Sequence, residues 1–128
     1  MDGLTPRELN DGHSMPAMGF GTWRLSGDDG VTAIGTALQC GYRMIDTAVR
    51  YENEGAVGRA VSESGLPRES LFVTTKLPGD DHGYDAAMRS CEGSLERLGL
   101  QYVDLYLIHW PLPRVDKYVE TWRAFTAL

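Results

Sequence analysis

The feature that most constrains the fold of this chain is a unit made of a short apolar strand and an amphipathic helix. The unit occurs about four times in 128 residues, with candidate strands beginning near Met18, Tyr42, Leu71 and Val103. The clearest helix follows the third strand and ends at Gly99. Strands that alternate with helices at this spacing predict a parallel sheet built from βα units.

Turn and cap signals refine this prediction. Residues 9–16 contain the sequence Asn-Asp-Gly, which predicts a short β-hairpin ahead of the first barrel-type strand. Asp28 or Asp29 is expected to cap the first helix, and Gly41 is expected to end it. The last helix is expected to carry apolar residues at helical spacing, including Tyr118 and Trp122. The sequence has no linker or low-complexity segment, so we expect residues 1–128 to form a single partial domain.

Composition narrows the function classes. The chain is 42% apolar and 23% charged, with a net charge of −6, which is typical of a globular protein. This net negative charge provides no overall electrostatic attraction to nucleic acid or an anionic membrane, and we expect neither as a partner. No apolar run approaches the roughly 18 residues that a membrane span needs. We expect a cytoplasmic protein without a metal, in which Cys40 and Cys91 are buried free thiols.

The last three predicted strands each end in an ionisable side chain, namely Asp46, Lys76 and His109. Neighbouring members of this set are separated by about the length of one βα unit. Active sites of parallel βα barrels form at the carboxyl ends of the strands, so we expect these side chains to converge at one mouth. Tyr51, in the loop that leaves the second strand, is expected to lean over the same mouth.

Together these residue types suit an oxygen atom that gains negative charge, such as a carbonyl oxygen during hydride transfer. A free tyrosine is a weak acid at neutral pH, with a pKa of about 10. An adjacent ammonium stabilises the phenolate, and Lys76 can supply it to Tyr51. Asp46 would keep that lysine charged, and a neutral His109 could donate a hydrogen bond to the substrate oxygen.

Each residue also has a structural interpretation when it is taken alone. A strand-end aspartate is often a cap, a lysine is often a solvated charge, and a histidine or tyrosine often packs in the core or at an edge. Trp23 and Trp110 also follow predicted strands. They could form the walls of an apolar substrate pocket, or pack in the core or at the rim.

Three ordered blocks of the sequence carry a resemblance to a known family. They are GYRMIDTA at residues 41–48 with Tyr51 and its following residues, VTTK at 73–76, and LERLGLQYVDLYLIHWP at 95–111. These blocks resemble the aldo-keto reductase family, in particular its bacterial 2,5-diketo-D-gluconate reductase-like members. The resemblance covers nearly the whole chain. It implies a (β/α)8 TIM barrel and NADPH-dependent reduction of aldehyde and ketone carbonyls.

The same resemblance implies a role for each site residue. Tyr51 matches the proton donor, Lys76 its activating lysine, Asp46 the partner of that lysine, and His109 the residue that orients the substrate carbonyl. The implied cofactor-binding residues are Gly21, Thr22, Trp23 and Asp46, near the nicotinamide end. The implied substrate-binding residues are His109, Trp23, Trp110 and Tyr51. Arg50 and the pair Pro78-Gly79 depart from the family pattern at the pocket rim.

Eight βα units need about 240 residues, and this chain supplies about four. We therefore expect the N-terminal half of a barrel, with activity only in the full-length parent, which we expect to be monomeric. The open edges of a half barrel predict self-association of the isolated chain. Two alternatives stay open, namely a non-enzymatic half-barrel remnant or interaction module, and an aldolase that forms a Schiff base at Lys76. Asp46 argues against the aldolase, because it favours the charged lysine.

Overall fold

The computed structural model describes residues 5–128, which form a parallel sheet with helices packed along it. The strands are β1 (Arg7–Glu8), β2 (Ser14–Met15), β3 (Phe20–Gly21), β4 (Met44–Asp46), β5 (Phe72–Leu77) and β6 (Leu105–Ile108). The helices are α1 (Gly27–Gln39), α2 (Glu54–Glu63), α3 (Tyr84–Leu98) and α4 (Tyr118–Ala127).

The main sheet has the order β3-β4-β5-β6, and all its neighbouring strands are parallel. Each of these strands is followed by a helix, so the chain forms four consecutive βα units of a barrel and confirms the predicted half barrel. The predicted hairpin is also present, because β1 and β2 pair antiparallel and Gly12 adopts a positive φ of 84° in the turn between them. Among residues 5–128, no helix is long and apolar enough to cross a membrane.

The larger hydrophobic core lies where α1 and α2 pack against the sheet. Its buried members come from both helices, from β4, from β5 and the residue before it, and from the end of α3: Val31, Ile34, Leu38, Ile45, Val57, Ala60, Val61, Leu71, Val73 and Leu98. A smaller cluster of Leu77, Ala87 and Ala124 joins β5 to α3 and α4. The strands that carry the predicted site are thus held from behind by two groups of apolar contacts.

The two ends of α1 differ in how well they match the predicted helix caps. Its first turn begins after Ser26, and no side chain caps it, so the predicted cap by Asp28 or Asp29 is wrong. Both carboxylates lie within the first turn, where their negative charges interact favourably with the positive end of the helix dipole. The predicted C-terminus is confirmed, because Gly41 follows the helix with a φ of 100° and donates its amide to the carbonyl of Leu38 at 3.1 Å.

The last helix buries small residues rather than its largest apolar ones. In α4 the buried residues are Thr121 and Ala124, whereas Trp122 is 60% exposed. The Thr121 hydroxyl accepts the buried amide of Gly83 at 2.9 Å and so joins α4 to the start of α3. Short side chains let the helices approach closely, which the apolar spacing did not indicate. Cys40 is exposed and Cys91 is buried, so the expected burial of Cys40 is wrong.

The edges of the four-stranded sheet are β3 and β6, as expected for a half barrel. Large exposed apolar side chains follow β6 in the chain and continue along α4: Trp110, Leu112, Val115, Tyr118, Val119 and Trp122. An unpaired edge beside apolar surface is a place where another segment or chain can pack. Self-association of this chain stays a prediction.

The contact between α2 and α3 generates a stability prediction. A Cβ atom at Gly58 would overlap the backbone carbonyl of Leu98, whereas a Cβ at Gly35 of α1 would meet no atom within 4 Å. Gly58→Ala should therefore destabilise the fold by about 1–3 kcal/mol. The matched control Gly35→Ala should stabilise it by about 0.5–1 kcal/mol, because alanine is the better helix former. Urea unfolding followed by circular dichroism measures both changes, and equal shifts would contradict the close approach at Gly58.

Candidate active site

The predicted strand-end residues meet at the carboxyl edge of the sheet. β4 ends at Asp46, Lys76 is the penultimate residue of β5, and His109 directly follows β6. The side chains of Lys76 and Asp46 are only 12% and 29% exposed. The parallel register thus places three ionisable groups side by side at one edge, as the sequence predicts.

Lys76 is the centre of this group. Its Nζ donates to Asp46 Oδ1 at 2.7 Å, to the carbonyl oxygen of Thr47 at 2.9 Å and to the phenolic oxygen of Tyr51 at 3.4 Å. An ammonium has three donors, and each one has a separate acceptor here. The positive charge is therefore held at one place, between a carboxylate and a phenol.

Tyr51 reaches the site from the end of a 3₁₀ turn, Val49–Tyr51, which follows β4. Glu52 ends the turn in the left-handed conformation, with a φ of 54°. The ring of Tyr51 meets the ring of His109 edge to face, with centroids 5.9 Å apart. All four predicted catalytic residues therefore lie together, with Lys76 and His109 both next to Tyr51.

His109 has the electrostatic environment of a neutral imidazole. Burial lowers its pKa, the positive charges of Lys76 and Arg50 lower it further, and the carboxylate of Asp46 acts in the opposite direction. Its Nδ1 is buried without a hydrogen-bond partner among the described residues. A neutral imidazole keeps one N–H donor, so His109 can donate a hydrogen bond to an acceptor at this mouth.

The loop after β3 forms one side of the mouth. Gly21 pairs with Asp46 in the sheet, and among residues 5–128 no atom beyond its chain neighbours lies within 4 Å of the position where a Cβ of Gly21 would be. Trp23 is 63% exposed, whereas Thr22 is completely buried. The amide and the hydroxyl of Thr22 both donate to the carbonyl oxygen of Asp46, at 3.1 and 2.9 Å. The Thr22 side chain thus joins the ends of β3 and β4, and the expected contact of Thr22 with the cofactor stays a prediction.

An open cleft of about 520 Å³ leads to Tyr51 and His109. Its described lining is mainly aromatic and apolar: Trp23, Arg50, Tyr51, Gly79, His109, Trp110 and Leu112. The two tryptophans are each more than half exposed, and the structure places both in the cleft wall, where the sequence suggested them. Among residues 5–128, no group of three or more acidic, histidine or cysteine side chains could hold a metal ion.

Sequence reasoning missed the residue that ties the site loops together. Asn53 is 2% exposed, and its Nδ2 donates to the carbonyl oxygens of Thr22 and Leu25 at 2.6 and 2.8 Å. Its Oδ1 accepts the hydroxyl of Thr47 at 2.6 Å. The signal in the sequence was its position at the start of a helix, but it makes no cap hydrogen bond. Its amide group instead joins the loop after β3 to the segment that carries Tyr51.

Glu54 is a second buried polar residue near the site. Its side chain is 1% exposed, and its two oxygens accept the hydroxyl of Thr75 at 2.5 Å and Nε of Arg97 at 2.7 Å. Thr75 directly precedes Lys76, so this carboxylate fixes α2 and α3 to the strand that carries the central lysine. A buried carboxylate with both oxygens paired has a supporting role in the fold.

Comparison with known proteins agrees with this architecture. The model of the Aldo/keto reductase family matches residues 17–128. The chain therefore belongs to the aldo/keto reductase family, whose members are oxidoreductases. An aldo-keto reductase of Mycolicibacterium smegmatis is 50% identical over 126 residues, which are 98% of this chain and 46% of that protein.

Solved structures show the same relationship. The crystal structure of an aldo/keto reductase from Brucella melitensis matches with a TM-score of 0.93 and 49% identity, and the match covers 98% of this chain and 49% of that one. A Bombyx mori aldo-keto reductase, solved in complex with NADP, matches with a TM-score of 0.87 and 38% identity over 97% of this chain and 46% of that one. The chain thus spans about half the length of these relatives.

The surroundings of His109 generate a prediction about its titration. We expect NMR titration of the imidazole to give a pKa below the ordinary histidine value, because burial and the charge of Lys76 oppose protonation. Lys76→Met removes that charge and should move the pKa of His109 upwards. Arg59→Met, which removes an exposed positive charge on α2, is the control and should leave it in place. A downward shift in Lys76→Met would contradict the assigned cause.

Proposed function

We propose that this chain carries the proton-donating residues of a cytoplasmic reductase that transfers a hydride from NADPH to aldehyde and ketone carbonyls. The observation that carries the proposal is the position of Lys76 Nζ, which lies 2.7 Å from Asp46 Oδ1 and 3.4 Å from the Tyr51 oxygen. This arrangement places a fixed positive charge next to a phenol that opens onto a cleft. The proposed substrate of this reductase is a small carbonyl compound.

Each residue has a definite part in the proposed reaction. Tyr51 donates its proton to the carbonyl oxygen as negative charge develops there, and the ammonium of Lys76 stabilises the phenolate that remains. Asp46 keeps Lys76 charged and fixed in position. The neutral imidazole of His109 donates a hydrogen bond that orients the carbonyl. These groups suit the reduction of a carbonyl group, in which the carbonyl oxygen becomes the hydroxyl oxygen of an alcohol.

The residues at the mouth fit the reactive end of the proposed cofactor. NADPH, when bound, supplies the hydride. Gly21 leaves open space at the strand position paired with Asp46, and Trp23 is an exposed aromatic side chain in the cleft wall. We infer that Gly21 and Trp23 hold the nicotinamide end, whereas Thr22 and Asn53 fix the loop from behind. The Bombyx mori relative, which is complexed with NADP, supports the choice of cofactor.

We propose the activity for a complete barrel that contains these four βα units. The chain spans about half the length of the relatives it matches. Barrels of this kind commonly bind phosphate groups with the loops after the seventh and eighth strands. The four units described here accordingly supply the proton donor and one wall of the cleft, and the remaining units of the barrel would supply the phosphate contacts.

The geometry supports a reductase better than an aldolase. A lysine that forms a Schiff base attacks as the neutral amine. Lys76 instead donates to three oxygen acceptors, one of which is the carboxylate of Asp46, and this pairing favours the ammonium. We therefore expect borohydride reduction in the presence of an aldehyde to leave Lys76 unmodified, as judged by peptide mass mapping. A trapped adduct at Lys76 would favour the aldolase.

The central prediction concerns Tyr51. A chimera in which this chain replaces the matching segment of the Mycolicibacterium smegmatis relative should oxidise NADPH when an aldehyde is added. Tyr51→Phe in that chimera should lower kcat by about 100-fold or more, because the proton donor is lost. NADPH affinity, measured by fluorescence titration, should change little, because the phenolic hydroxyl is not among the proposed cofactor contacts.

Tyr102→Phe is the matched control. Tyr102 is 44% exposed and stacks on the guanidinium of Arg68, away from the cleft lining, so its hydroxyl should not affect kcat. Equal activity of the Tyr51→Phe and Tyr102→Phe chimeras would refute Tyr51 as the proton donor. A correctly folded chimera without any aldehyde-dependent NADPH oxidation would favour the non-enzymatic interaction module.

A further inference from the structure

Arg50 stands out in the cleft because its neighbours there are mostly apolar or aromatic. It directly precedes Tyr51 and lines the same cleft as Trp23, His109 and Trp110. Among the described residues of that lining, it carries the one permanent charge. The side chain is 57% exposed, so its guanidinium lies at the entrance. Its positive charge is also one of the causes that lower the pKa of His109, after burial and Lys76.

Arg50 already binds a carboxylate in this structure. Its guanidinium donates to Asp80 Oδ2 at 2.6 Å. Asp80 belongs to the 3₁₀ turn Gly79–Asp81, which follows β5, so the contact bridges the loops after two neighbouring strands. The Asp80 side chain is 80% exposed. The guanidinium is therefore presented in an orientation that a carboxylate oxygen can reach from solvent.

The Arg50–Asp80 ion pair can be exchanged at little cost. Ion pairs between exposed side chains contribute little to stability, because water screens both charges. If another carboxylate replaced Asp80, the Asp80 side chain would stay hydrated and no buried charge would be left unpaired. A ligand bound between Trp23 and Trp110 would also be partly shielded from water, which strengthens a guanidinium–carboxylate contact.

We propose that Arg50 is a specificity-determining residue that selects carbonyl substrates bearing a carboxylate, and that Asp80 occupies its guanidinium until such a substrate binds. The substrate carbonyl would lie at Tyr51 and His109, and its carboxylate would lie at Arg50 on the same side of the cleft. This inference rests on the proposed function, because it assigns a substrate class to the same site. It adds a contact that none of the four catalytic residues makes.

Binding to the Mycolicibacterium smegmatis chimera, measured without NADPH, tests the proposal without any turnover. The probes are formylbenzoate and its uncharged methyl ester, and the signal is quenching of tryptophan fluorescence, since Trp23 and Trp110 line the cleft. Formylbenzoate should bind more tightly than the ester. Arg50→Met should reduce that preference by about tenfold, because it removes a charge-assisted hydrogen bond. Arg59→Met, which removes another exposed and paired arginine, should leave it unchanged.

A double-mutant cycle separates Arg50 from a general change in charge. Asp80→Asn removes the competing carboxylate and should strengthen formylbenzoate binding. In the Arg50→Met background the same Asp80→Asn change should give no such gain, because the two residues act as a unit. An equal gain in formylbenzoate affinity in both backgrounds would mean that Asp80 acts only through general charge repulsion. That result would overturn its assignment as a competitor for Arg50.

The two proposals fail in different ways. The assignment of Arg50 is overturned if formylbenzoate binds no better than its ester, or does not bind saturably, or keeps its preference in Arg50→Met. Those results leave the Tyr51 chimera test unaffected. Conversely, an Arg50-dependent preference together with a chimera that does not oxidise NADPH would sink the reductase and keep the carboxylate site.

Discussion

The ion pair between Lys76 and Asp46 is the interaction on which the rest of the site depends. Two partly buried charges lie 2.7 Å apart at the carboxyl edge of the sheet. Either charge alone would be costly in that position, so the pair demands that β4 and β5 keep one register. A shift of one residue would turn Lys76 to the other face of the sheet. The positions of Tyr51 and His109 relative to the ammonium follow from that register.

The packing of the helices and loops against the sheet stabilises the same strand register. Glu54 joins α2 to Thr75, the residue before Lys76, and Gly58 lets the backbone of α2 approach the end of α3. Asn53 binds the loop after β3 to the segment after β4. Apolar contacts alone would hold the helices at a range of positions. These directional polar contacts select one position, because each buried donor or acceptor has few alternative partners.

The sequence separation between interacting residues determines which parts of this molecule could be predicted from its sequence. Parallel βα units place their strand ends at one edge, so the convergence of Asp46, Lys76 and His109 could be predicted from spacing alone. Burial in α4 could not, because it depends on Thr121 accepting an amide that lies 38 residues earlier. The bridging role of Asn53 was likewise hidden, because two of its partners, Thr22 and Leu25, lie 31 and 28 residues earlier in the chain. Periodicity reports local structure and is silent about such contacts.

The site divides its chemistry between strands and loops, and this division has a physical reason. Asp46 and Lys76 lie on strands, where the ladder of hydrogen bonds fixes them, as the proposed stabilisation of a phenolate requires. Arg50 and Asp80 lie in short 3₁₀ turns, and both are largely exposed. An exposed pair in a loop can change partners without disturbing the sheet. A change of partner at Arg50 can therefore leave the strand-bound pair of Asp46 and Lys76 in place.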